Sequence, residues 1–140
     1  MKTFALLAVS IAFVGILFCP TVMAFPSIPD DVQMIQPDPS LPKELSAFFG
    51  KWQGISGKLE FFLIVEKIGK KKARVYHWRS GSGRRGYPGW GRTNAEVIQD
   101  RGKYKLRFIV AEGTTELTLR GEYLDLTGPA ALTVVLTRVP

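Results

Sequence analysis

From Lys103 to Val110 the chain alternates without a fault. Tyr104, Leu106, Phe108 and Val110 fall on one side, and Lys103, Lys105 and Arg107 on the other. Successive side chains of a strand point to opposite faces, so this segment predicts a strand with one dry face and one wet one. Seven further segments carry a similar signal. They are 48–53, with Gly50 and Trp52; 58–68, with Leu59, Phe61, Leu63 and Val65 in phase; 73–79; 92–99, with Ala95 and Val97; 114–120, with Leu117 and Leu119; 122–126, with Leu124 and Leu126; and 131–139, with Leu132, Val134, Leu136 and Arg138 in phase. Glycine-bearing turns at 68–70, 100–102, 112–113 and 127–129 separate strands. Strands at this spacing, joined by short turns, predict an all-β fold: an eight-stranded antiparallel up-and-down barrel, closed or nearly closed. Closure removes the sheet edges that would otherwise template aggregation. No internal repeat of solenoid or propeller length is present.

The two regions before the strands have other properties. Lys2 precedes an almost unbroken apolar run from Phe4 to Cys19, and Val22-Met23-Ala24 ends on a small residue. That pattern is a secretory signal peptide with cleavage after Ala24. The competing reading is an uncleaved anchor, but the run is shorter than the ~20 residues of a spanning helix. A lipoprotein reading of Cys19 fails because bulky Leu17 and Phe18 precede it. The exported product would be periplasmic or extracellular and would span one domain. Residues 25–42 hold Pro26, Pro29, Pro37, Pro39 and Pro42, five of the nine prolines. Proline fixes φ and donates no backbone hydrogen, so this piece predicts an extended arm or linker outside the sheet. A short helix over 42–49 follows, with Leu45, Phe48 and Phe49 inward, leading into a barrel domain over 43–140.

Cys19 is the only cysteine, so no disulfide holds the folded part and its stability rests on packing and strand pairing. The net charge is +7, with basic clusters at Lys70-Lys71-Lys72, Arg84-Arg85 and Arg101 to Arg107. Solvated turns and outward strand faces account for these; a surface for a polyanion or anionic envelope lipid is the sharper alternative.

Arg138 is the oddity of the last strand, because its phase with three aliphatics sends it inward. A buried guanidinium needs partners. The face of Trp52 can supply a cation–π contact of ~0.5–2 kcal/mol, and backbone carbonyls can take its remaining donors. Gly50, lacking a Cβ, lets the chain pass close by. Gly50, Trp52 and Arg138, with the lead-in helix and about eight strands, resemble the calycin superfamily, the lipocalin and avidin type of barrel, over about residues 45–139. The chain departs from larger lipocalins in its shortness, its lack of cysteines in the barrel and its lack of their later motifs. The resemblance implies that this trio closes one barrel end as structure, not as a ligand site. It also implies a binder, with one small ligand or packed side chains inside.

On that expectation the ligand-binding residues are Phe61, Leu63, His77, Tyr104, Leu106 and Phe108, entered from the open end. His77 is the only histidine. Two phases of the third strand stay open: Val75 and His77 inward, or Tyr76 and Trp78 inward. No second histidine or further cysteine exists to make a metal site with it, and no cofactor is expected. Gly81-Ser82-Gly83-Arg84-Arg85-Gly86 matches a dinucleotide fingerprint, but Tyr87-Pro88-Gly89-Trp90-Gly91 follows where a helix must begin. The segment reads instead as a long loop at the barrel mouth, with Arg84, Arg85, Tyr87 and Trp90 as contact residues. No nucleophile elbow is present, because Lys58 stands at its second glycine position. Glu60 and Glu66 share the outer face of the second strand, too far apart for an acid/base pair. The expectation is therefore non-enzymatic. Phe62 and Ile64 point outward and need cover from the arm, the helix or a second subunit.

Three functions follow as expectations. The first is an exported binder of a small apolar ligand. The second is a protein-interaction module, such as a protease inhibitor acting through the N-terminal arm; related exported barrels of this kind usually carry a disulfide that this chain lacks. The third is a binder of an anionic polymer or envelope surface.

Overall fold

The computed structural model describes residues 25–79, 90–110 and 113–140. The expected signal segment and Arg84, Arg85 and Tyr87 of the long loop lie outside them. Eight strands follow one helical turn, α1 (Lys43–Ser46): β1 (Gly50–Ser56), β2 (Leu59–Ile68), β3 (Lys72–Arg79), β4 (Gly91–Asp100), β5 (Lys103–Val110), β6 (Gly113–Arg120), β7 (Tyr123–Thr127) and β8 (Thr133–Val139). Each strand pairs antiparallel with the next, and β8 returns to β1, so the sheet is a closed barrel. Lys51↔Val139, Trp52↔Arg138 and Gln53↔Thr137 form the closing seam.

Alternation decides the inside. Phe61, Leu63, Val65, Val75, Ala95, Leu106, Phe108, Leu117, Leu124, Leu126, Val134 and Leu136 are buried in one core cluster with Trp52. Each valine, leucine or phenylalanine among them contributes about 1.5–3 kcal/mol by leaving water. The third strand is thereby fixed in phase, with Val75 fully buried inside and His77 sharing its face. The first strand starts later than the sequence predicts, because Phe48 and Phe49 still donate to Leu45 and Ser46 carbonyls at 3.2 and 3.1 Å in the turn after α1. The last strand also starts late. Gly128 N–H bonds the Leu132 carbonyl at 2.9 Å, and Ala130 and Ala131 take left-handed φ of 57° within that turn.

In such a meander the starts of odd strands and the ends of even strands share one end of the barrel. That end holds Gly50, the turns at 68–72, 100–103 and 120–123, and Val139. The opposite end holds the connections at 56–59, 79–91, 110–113 and 127–133.

The arm does not hang free. It crosses the outer face of β2, β3 and β4, where Phe62, Ile64, Glu66, Tyr76 and Trp78 point outward. The Phe25 ring meets Phe62 edge-on at 5.1 Å and Trp90 at 5.7 Å. The arm is thus the cover that outward Phe62 and Ile64 require; both are buried. A bulge in β2 between Val65 and Lys67 takes Glu66 out of the ladder, and Ile35 N–H bonds its free carbonyl at 2.9 Å.

Candidate functional site

One end of the barrel is closed by contacts among Trp52, Arg138 and the turn after α1. Trp52 is fully buried, and its indole N–H donates to the Phe48 carbonyl at 3.0 Å. The Arg138 guanidinium carbon lies 4.3 Å from the centre of the Trp52 ring. Its Nη1 and Nη2 donate to the Phe49 and Ala47 carbonyls, both at 2.7 Å. Those carbonyls follow α1, where the chain leaves the helical turn and its oxygens lack intrahelical partners. Gly50 has φ 128°, and a Cβ there would stand 2.8 Å from Arg138 Nη1. The sequence places Arg138 inside; the structure lays it across the end instead, exposed to solvent and roofing the indole. The cost of burying a guanidinium therefore does not arise. β8 ends one residue later, at Val139, so the inward phase here points at the closed rim and not at the core.

At the opposite end the inward wall consists of Phe61, His77 and Phe108. Phe61 stands near the start of β2, while His77 and Phe108 stand near the ends of β3 and β5. The half-buried His77 imidazole stacks on the Phe108 ring at 5.9 Å and 23°. Gly91 passes so close that a Cβ would meet the imidazole at 2.9 Å. Glycine at the head of β4 thus gives the ring its space. Thr115, also inward and buried, adds a hydroxyl to the wall of β6. The left-handed Ala130 and Ala131 lie in the connection on the same rim. Non-glycine residues rarely hold that conformation, and it costs of order 1 kcal/mol each.

Leu63 and Leu106 are buried deeper in the same wall. Tyr104 is not part of it. It follows the 100–103 turn and so lies toward the sealed end, half-buried, on the strand against which α1 packs. The sequence shows its inward phase but not its height in the barrel. Trp90 also has a different place from the mouth contact predicted for it. Its indole N–H donates to the Ser27 carbonyl at 2.8 Å, and its ring meets Tyr76 at 6.5 Å, so it clamps the arm to the outer face.

The group that sequence reasoning missed is Glu66. It does lie on the outer face, yet it is fully buried beneath the arm. Its Oε1 is 3.3 Å from Arg74 Nε and 3.4 Å from Arg92 Nε, as ion pairs without hydrogen-bond alignment. Its Oε2 accepts the Gln33 N–H at 3.0 Å. Arg92 reaches onward to the Asp31 carbonyl at 3.0 Å and stacks over Tyr76 at 4.7 Å. The available signal was the carboxylate in phase with apolar Phe62 and Ile64, which marks a covered face. Among the described residues, no group of three or more histidine, cysteine or acidic side chains gathers to hold a metal ion. No family model, no curated protein and no solved structure matches the chain.

Proposed function

We propose that the chain is an exported, non-enzymatic barrel of calycin type, cleaved after Ala24, that binds a small apolar ligand at the end opposite Arg138. The observation that carries this reading is the asymmetry of the two ends. One is roofed by Arg138, Trp52 and α1. The other presents a half-buried imidazole stacked on Phe108 in a wall that also holds Thr115 and is apolar elsewhere. An apolar pocket with a few placed polar atoms is the usual form of a small-ligand site. Phe61, Leu63 and Phe108 supply contact area, and His77 and Thr115 supply direction. The arm is engaged with the barrel's own outer face, which ranks inhibition through the arm below pocket binding.

Titration with an apolar fluorescent probe tests this. The parent protein should give saturable enhancement, and Phe108→Ala should weaken it about tenfold, the effect of losing one ring's contact. Ile109→Ala, on the outer face and 74% exposed, should leave it unchanged. Absence of enhancement with the parent, or equal loss in both variants, overturns the proposal.

A further inference from the structure

Among the described residues, three turns that carry basic side chains share one end of the barrel. Lys70, Lys71 and Lys72 sit at the β2–β3 turn, Arg101 and Lys103 at the β4–β5 turn, and Arg120 at the β6–β7 turn, all exposed. These three turns surround the sealed end. Arm residues between Gln36 and Leu41 line one depression with Lys43, Ser46 and Arg138, and α1 packs against β5, so arm and helix lie at this end. Asp100 and Glu122 are the acidic groups on the same turns; Arg101 lies 4.0 Å from Asp100, and Arg120 pairs with Asp125 at 2.7 Å, which leaves the lysines as the main free charge of this end. The basic row of β5 is paired as well. Lys105 and Arg107 are both tied to Glu116, at 3.0 and 3.6 Å. Toward the opposite end, among the described residues, Lys58 stands on the β1–β2 turn, and Arg92, near the start of β4, is tied to Glu66 and Asp31; Arg84 and Arg85 lie outside the described residues.

We propose that the sealed end is a docking face for an anionic membrane surface, which would leave the mouth at Phe61 and Phe108 pointing away from it. The shape of the end selects this partner over a polyanionic chain. The cations stand on separate turns at the same end as the arm and α1 and can meet a plane of headgroups together. The depression at this end, about 480 Å³ and open, is lined by Gln36, Pro37, Pro39 and Leu41 beside Lys43 and Arg138. It offers no groove with continuous basic walls for a polymer to follow. Exposed turn lysines lose little on binding, because they stay in the headgroup layer, and each adds an attraction that salt screens. The proposal does not depend on what the opposite end binds.

Co-sedimentation with vesicles is the test. The protein should bind vesicles containing phosphatidylglycerol, should bind phosphatidylcholine vesicles far less, and should release as salt rises. Lys70→Gln, Lys71→Gln, Arg101→Gln and Lys103→Gln should each lower affinity about fivefold, and the four together several hundredfold. Lys58→Gln should change it little. All five positions are at strand ends or turns, and circular dichroism would show that the barrel persists. Equal binding to both vesicle types overturns the proposal, as does equal binding by the quadruple variant and the parent. Tight binding to polyphosphate with none to vesicles would assign the same face to a polymer and overturn the membrane as partner.

Discussion

Arg138 and Trp52 are register partners across the β8–β1 seam, and the guanidinium lies 4.3 Å above the indole. Three groups of different kinds meet at this point. The indole belongs to the core, the guanidinium to the solvent boundary, and the two carbonyls it binds to the turn that leaves α1. The contact therefore joins the last strand, the first strand and the lead-in turn.

Arg138→Ala should destabilise the barrel by about 1–3 kcal/mol, combining an exposed cation–π contact with two charge-assisted hydrogen bonds. Arg138→Lys should recover less than half, because an ammonium cannot span two carbonyls with a planar fork. Urea unfolding midpoints would measure both. Equal stability of parent and alanine variant would show that the seam holds without the pair.

Gly50→Ala should also destabilise, by about 1–3 kcal/mol. The positive φ is one cause, and the 2.8 Å approach to Arg138 Nη1 is the other. In a double-mutant cycle with Arg138→Ala the two losses should sum to less than their separate values, since the second change removes the obstacle to the first. Strict additivity would mean that backbone strain alone sets the cost.

Glu66→Gln should loosen the arm. It leaves Arg74 and Arg92 side by side without the carboxylate between them, and loss of one partner from a buried pair is costly. The arginines are partly exposed, at 32% and 39%, so the loss should be about 2–3 kcal/mol. Amide hydrogen exchange should rise most at Gln33, which bonds the carboxylate, and less at Ile35, which bonds the backbone carbonyl. Unchanged exchange at Gln33 would remove the carboxylate as the anchor.

Tyr76 predicts an alkaline limit. Burial first, then the Asp31 carboxylate beside it, pushes the phenol above its usual 10, while Arg92 pulls the other way. The folded state thus holds this proton more tightly than the unfolded chain. That contribution is intact below about pH 10 and is lost as pH rises through the raised value. Unfolding midpoints from pH 8 upward should fall less steeply for Tyr76→Phe than for the parent. Identical alkaline slopes would show that this phenol does not set the limit.

Much of the barrel is legible from period-two alternation, because a closed sheet with one dry interior obliges every strand to obey it. Phase along β5, β6 and β8 is unambiguous for that reason. Height is not encoded by phase, so Tyr104 and Phe108 look equivalent in sequence yet stand toward opposite ends. The third strand was ambiguous because Tyr76 and Trp78 are apolar on the outer face, where the arm covers them. The burial of Glu66 was hidden for the same cause: a proline-rich segment carries no periodicity to show what it lies against. Gly50, Trp52 and Arg138 could be matched because chemistry links the three across the whole length of the domain. The inward phase of Arg138 did not reveal that its strand ends there, with the guanidinium outside.

The most direct measurement of where a ligand enters is a nuclear magnetic resonance titration of the protein with a small apolar probe. Saturable shifts concentrated at Phe61, His77 and Phe108, with Trp52 and Arg138 little affected, are the predicted result. Shifts confined to Phe25, Phe62 and Trp90 on the outer face, or no saturable shift at all, would contradict a binding site at the end opposite Arg138.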